Sequence, residues 1–94
     1  MPVDVTGADL DELAARVRSW LDAHLPAHWR RAALDGDRRA LAEITRDEAT
    51  TRAWYAELGD SGLATPDWPV ESGGLGLAAD AAAVVRDELA RLHA

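Results

Sequence analysis

Apolar positions three and four apart mark the first element of the chain. Leu10, Leu13, Val17, Trp20, Leu21 and Leu25 share one side of a helix over residues 10–25, while Asp11, Arg18 and Asp22 fall largely on the other. Asp9 is placed to cap the N-terminus, with Glu12 three residues on to complete a capping box. Pro26 ends the helix, because proline lacks an amide hydrogen and disfavours helical geometry at Leu25. Residues 27–36 read as an irregular connection, with Asp35 and Gly36 as a turn.

Helical spacing resumes over residues 37–58, with Leu41 and Ile44 on one side and Trp54 and Leu58 turned inward. Thr45 followed by Glu48 repeats the capping-box pattern, so the segment is either one helix or two, with Gly59 as the stop. Residues 60–76 hold Pro66, Pro69, Gly62, Gly73, Gly74 and Gly76, which rules out a helix, and no useful strand alternation replaces it. The reading is a long ordered loop pinned by Trp68. A last helix over about residues 78–93 carries Leu77, Ala81, Val84, Val85, Leu89 and Leu92. The pattern therefore predicts an all-α fold, a small bundle of about three to four helices with a long Pro/Gly/Trp loop before the last one.

Composition changes this picture in two ways. Alanine supplies much of the apolar content, and the large apolar residues are mainly leucine, a few valines, Ile44 and four tryptophans, with no phenylalanine. Alanine favours helix but buries little area, so each helix presents a thin stripe and something outside the chain is expected to complete the core. A formal net charge of −7, with all basic residues arginine and scattered, argues against nucleic acid as a partner. The absence of cysteine removes disulfides and thiol chemistry. Residues 1–10 lack a basic start and apolar core, so no signal peptide is visible, and the apolar run at residues 81–85 is too short for a membrane span. A cytoplasmic location is the expectation.

Candidate chemistry is sparse. Residues 74–79 satisfy GxGxxA and open a helix, but a dinucleotide turn needs a buried strand just before it, and residues 67–72 contain Pro69 and no apolar strand. A glycine turn with a structural role is the favoured reading. His24 and His28 are four apart, yet Pro26 between them breaks the helical geometry that would join two imidazoles on a metal. The adjacent carboxylates Asp47 and Glu48, and Asp87 and Glu88, point about 100° apart on a helix and read as solvated faces. Ser61 and Ser72 lack a nucleophile elbow, and the tryptophans are spread over separate elements as core or interface anchors. No catalytic, cofactor-binding or metal residue is assigned. The residues singled out are those of the structural loop: Pro66, Trp68, Pro69, Gly73, Gly74 and Gly76.

In order along the chain, these features resemble the N-terminal helical domain of the acyl-CoA dehydrogenase family. Trp54, Leu58 and Gly59 precede Gly62, Leu63, Ala64, Thr65 and Pro66, as in the family's helix and its glycine-rich approach to proline. Trp68 and Pro69, then Glu71, Gly73, Gly74 and Gly76, resemble its WP-x-E-x-GG-x-G segment, and Asp87 to Arg91 resemble its EELAR helix with aspartate for the first glutamate. The likeness is strong over residues 54–91 and weak over residues 27–53. It implies a parent enzyme that binds FAD and removes two hydrogens from the α and β carbons of an acyl-CoA thioester. A C-terminal-domain carboxylate would be the base, and a middle β-domain and C-terminal bundle would hold the flavin.

None of those catalytic or FAD-contacting residues has a counterpart in these residues. The resemblance thus implies a scaffold segment, inactive alone, whose partners are the remaining domains of such an enzyme or a homo-oligomer. Acyl-CoA and FAD would belong to the complete enzyme. In the loop, Trp68 is expected to bury its ring against the helices while Gly73, Gly74 and Gly76 allow positive φ or close packing. The alternative is a self-contained acidic helical module that binds a protein partner through the same apolar stripes.

Overall fold

A computed structural model describes residues 2–92, and within them the chain is all helical. Five α-helices follow in order: α1 Leu10–His24, α2 Ala27–Leu34, α3 Arg38–Arg46, α4 Glu48–Ser61 and α5 Ala79–Arg91, with a 3₁₀ turn at Val70–Ser72. His93, which the sequence reading places at the end of the last helix, lies outside the described residues.

α1 begins where the Asp9 carboxylate accepts from the Glu12 amide at 2.8 Å. The Glu12 carboxylate does not complete a box but lies 3.9 Å from Arg16. The apolar face of α1 sends Leu13, Val17 and Leu21 into the core, while Leu10 at its first turn is exposed. α1 packs broadly on α5, α2 on α3, and α3 on α4. Leu25, Trp29, Trp54, Leu58, Leu63, Leu75, Val85, Leu89 and Leu92 complete the buried cluster. Trp29 crosses it to donate its indole N–H to the Leu92 carbonyl at 3.1 Å, tying α2 to the end of α5. Ahead of α1, the Val3 amide donates to the Ser61 carbonyl at 2.9 Å, and Val3, Val5 and Ala8 pack against the core.

Three features correct the sequence reading. Residues 27–34 are helical rather than irregular: Pro26 ends α1 and then serves as the N-cap position of α2, whose buried face is Trp29, Ala32 and Ala33. Residues 37–58 hold two helices, parted within the Thr45–Glu48 pattern, but the cap is Asp47 rather than Thr45. Its carboxylate accepts from the Ala49 and Thr50 amides and the Thr50 hydroxyl, while the Thr45 hydroxyl turns back to the Leu41 and Ala42 carbonyls. α4 also runs past Gly59 to Ser61 and closes at Gly62, whose φ of 81° supplies the left-handed cap.

Candidate functional site

The glycine loop between α4 and α5 folds on itself. Thr65, Pro66, Trp68, Pro69 and Val70 supply carbonyls, and the amides that follow turn back to them. Gly73 donates to Val70 at 3.0 Å, Gly74 to Pro69 at 3.1 Å, Gly76 to Trp68 at 2.8 Å and Leu77 to Pro66 at 3.0 Å. Gly73 and Gly76 have positive φ, whereas Gly74 is buried for a different reason. A Cβ on Gly74 would lie 2.5 Å from both the Thr65 carbonyl oxygen and the Trp68 Cβ, and would meet the Trp68 carbonyl oxygen still more closely. Pro66 is fully buried among these groups.

Trp68 departs from the sequence expectation. The residue is 53 % exposed, and Val70 beside it is 67 % exposed. The backbone carbonyl of Trp68, not its indole, holds the loop to the start of α5. The sequence reading missed this because a tryptophan between two prolines signals an anchor without saying which of its groups is anchored.

This geometry decides the phosphate question. A dinucleotide turn presents free amides to a pyrophosphate, but here those of Gly73, Gly74 and Gly76 are bound within the loop. The segment before them is a 3₁₀ turn. The first turn of α5 carries Asp80, whose carboxylate accepts from the Ala81 amide at 2.8 Å and would repel an anion. These residues do not fit the pyrophosphate of a flavin or nicotinamide cofactor.

The two histidines stand apart in role. His24 stacks on Trp20 with ring centroids 4.5 Å apart, and its Nδ1 lies 2.8 Å from the Trp20 carbonyl. A carbonyl only accepts, so Nδ1 carries the hydrogen. His28 instead lines a shallow cavity of about 350 Å³ with Glu43, Ile44 and Asp47. Among the described residues, no group of three or more metal-ligating side chains is placed to hold an ion.

The carboxylate pairs are not merely solvated. Glu88 is only 8 % exposed and accepts two hydrogen bonds from Arg18 on α1, from Nε and Nη2, each 2.8 Å long. Arg91 adds a further contact at 3.5 Å. The Arg18 hydrogen bonds hold the Glu88 carboxyl below its ordinary range, against an opposing effect of burial. Asp47 is likewise lowered, first by the Thr50 amide and then by the Thr50 hydroxyl. Each carboxylate is committed to structure, one as a crosslink and one as a cap.

Ser61 is buried, donating to the Leu58 carbonyl at 2.6 Å and accepting from the Leu63 amide at 3.1 Å. Trp20, Trp29 and Trp54 form a chain of rings, with centroids 5.5 Å apart from Trp20 to Trp54 and 6.1 Å from Trp29 to Trp54. Trp29 satisfies its N–H within the fold, but the buried Nε1 of Trp54 has no acceptor among the described residues.

Compared with known families, residues 7–94 match the model described as the acyl-CoA dehydrogenase, N-terminal domain. No curated protein and no solved structure matches the chain.

Proposed function

Because the chain belongs to the acyl-CoA dehydrogenase N-terminal domain family, we propose that it serves as the helical N-terminal segment of an FAD-dependent enzyme that desaturates acyl-CoA thioesters between the α and β carbons. In this reading it is a scaffold that packs against flavin-bearing domains and is inactive alone. The match over residues 7–94 carries the reading. FAD, bound by other domains, would supply the hydride acceptor. The residues of this chain contribute rigidity: the self-bonded glycine loop sets the path from α4 into α5 and leaves no amide cradle for the cofactor. Exposed Trp68 and Val70 on that loop offer apolar surface for a neighbouring domain.

The test has two arms. The purified chain, mixed with FAD and passed through gel filtration, is expected to emerge without flavin absorbance and without oxidising acyl-CoA in the presence of an artificial electron acceptor. Co-expressed with the β-domain and helical bundle of an acyl-CoA dehydrogenase lacking its own N-terminal segment, it should co-purify as a flavin-loaded complex. Stoichiometric flavin on the chain alone, or no association with those domains, overturns the proposal.

A further inference from the structure

The residues ahead of α1 form a strap that joins the end of α4 to the side of α1. At one end the Val3 amide donates to the carbonyl of Ser61, the last residue of α4, at 2.9 Å. A carbonyl in the last turn of a helix has no partner inside that helix, so the strap satisfies it. Farther along, Arg16 on α1 donates from Nη1 to the Asp4 carbonyl at 3.0 Å and to the Thr6 carbonyl at 3.3 Å. That nitrogen carries two hydrogens, so one side-chain atom holds both carbonyls. The strap then turns at Val5–Ala8, where the Ala8 amide donates to the Val5 carbonyl at 3.3 Å and Gly7 takes a φ of 69°.

Four observations set the strap apart from the helical body. None of residues 3–8 is fully buried: Val3, Val5 and Ala8 are half-buried against the core, and Asp4, Thr6 and Gly7 are exposed. α1 starts without help from the strap, because Asp9 caps the Glu12 amide and the Leu13 amide returns to the Asp9 carbonyl at 2.8 Å. Gly7 lies just before that cap, and a Cβ on it would meet nothing within 4 Å. Its backbone angle, not close packing, is what calls for glycine. Finally, a groove of about 450 Å³ runs beside Val3 and Asp4, with Ser19, Trp20 and Ala23 of α1 in its lining.

We propose that residues 3–8 are a releasable strap, latched by Arg16 and hinged at Gly7, which opens while the five helices stay folded. Release frees the Ser61 carbonyl and uncovers the part of the core against which Val3, Val5 and Ala8 pack. This end of the molecule therefore has two surfaces, one closed by its own chain and one apolar with an open carbonyl at its edge. Arg16 controls the choice, because its charge-assisted hydrogen bonds are stronger than the neutral one at Val3. The inference does not depend on the enzyme reading above.

Native-state hydrogen exchange of the whole chain, followed by NMR, tests it. The Val3 amide reports on the strap, and the amide of Leu21, fully buried within α1, reports on the body. In the parent, Val3 exchange should be nearly independent of urea at low concentration, because little surface is exposed when the strap opens. Leu21 exchange should rise steeply with urea. Arg16→Gln is expected to speed Val3 exchange roughly tenfold and to keep it insensitive to urea. Glu12→Gln removes the carboxylate 3.9 Å from Arg16 but keeps the guanidinium, and should leave Val3 at the parent rate. A Val3 amide with the urea dependence of Leu21 would mean that the strap opens only with the whole fold, and overturns the inference. So does unchanged Val3 exchange in Arg16→Gln, or equal acceleration in Glu12→Gln.

Discussion

Arg18 and Glu88 sit 70 residues apart in the chain and grip each other through two 2.8 Å hydrogen bonds. The guanidinium is on the solvent side of α1, and the carboxylate is on the part of α5 that faces it, with a side chain only 10 % exposed. The pair therefore crosslinks the two helices that share the broadest contact, at the edge of a core made largely of leucine, with valine and tryptophan. Its bidentate geometry fixes how α5 lies along α1, which a stripe of alanine and valine alone would specify poorly.

Removing one partner is expected to cost more than removing both. Arg18→Leu leaves the Glu88 carboxylate in a poorly hydrated place with Arg91 at 3.5 Å as its remaining cation. Thermal melts followed by circular dichroism should show Arg18→Leu several degrees below the parent, with the double variant Arg18→Leu/Glu88→Leu recovering part of the loss. A double variant less stable than Arg18→Leu would contradict the assignment of Glu88 as a carboxylate that needs its partner.

Acid should weaken the fold through the same pair and the helix cap. The folded-state values of Glu88, Asp47 and Asp4 are all held below the ordinary ones, which are 4.5 for Glu88 and 3.8 for the aspartates. Lowered carboxyl groups contribute stability above their unfolded values, and that stability is lost as pH falls through the folded ones. Stability from these groups is thus expected to hold from neutral pH down to about 4.5 and to decline below it. The gap between parent and Arg18→Leu should narrow on acidification, because protonated Glu88 no longer needs the guanidinium. A gap that stays constant from pH 7 to pH 3, measured by urea unfolding, would exclude that mechanism.

Local pattern carried the all-helical fold, and it failed where local signals compete or where the partner is remote. Leu13, Val17 and Leu21 announce α1 by spacing alone, and they are buried as that spacing requires. α2 escaped because Pro26 and Gly36 leave a short window whose buried face is one tryptophan and two alanines, too thin to register as periodicity. At the start of α4, Thr45 and Asp47 both suit a cap. The aspartate prevails because its two oxygens gather three donors while Thr45 is satisfied by the preceding turn. The Arg18–Glu88 bridge had no sequence signal, since it depends on residues brought together only by tertiary packing.

Two tryptophans buried alike should respond differently to losing their N–H. Trp29 donates to the Leu92 carbonyl at 3.1 Å, whereas Trp54 Nε1 has no acceptor among the described residues. Both phenylalanine replacements shrink the ring, so the difference between them isolates the hydrogen bond. Trp29→Phe is expected to be about 1 kcal/mol more destabilising than Trp54→Phe in denaturant unfolding. Equal losses would mean that the Leu92 carbonyl is well satisfied without the indole.

In the loop before α5, backbone rather than ring is expected to control stability. Gly74→Ala drives a Cβ into the Thr65 and Trp68 carbonyl oxygens, and with backbone on both sides neither can yield cheaply. A cost of about 1–3 kcal/mol follows, as for overpacked cores. Gly73→Ala meets no atom within 4 Å but must hold a φ of 91°, which costs about 1 kcal/mol of strain. Trp68→Ala removes a ring that is largely in solvent while keeping the carbonyl that accepts from Gly76. It should change the stability of the isolated chain by no more than about 0.5 kcal/mol, as for ordinary surface positions. Urea midpoints at constant slope give the order directly: Gly74→Ala lowest, Gly73→Ala between, Trp68→Ala near the parent. If Trp68→Ala proved as damaging as Gly74→Ala, the indole would be a structural anchor after all, and the loop would have to be held from its side chain.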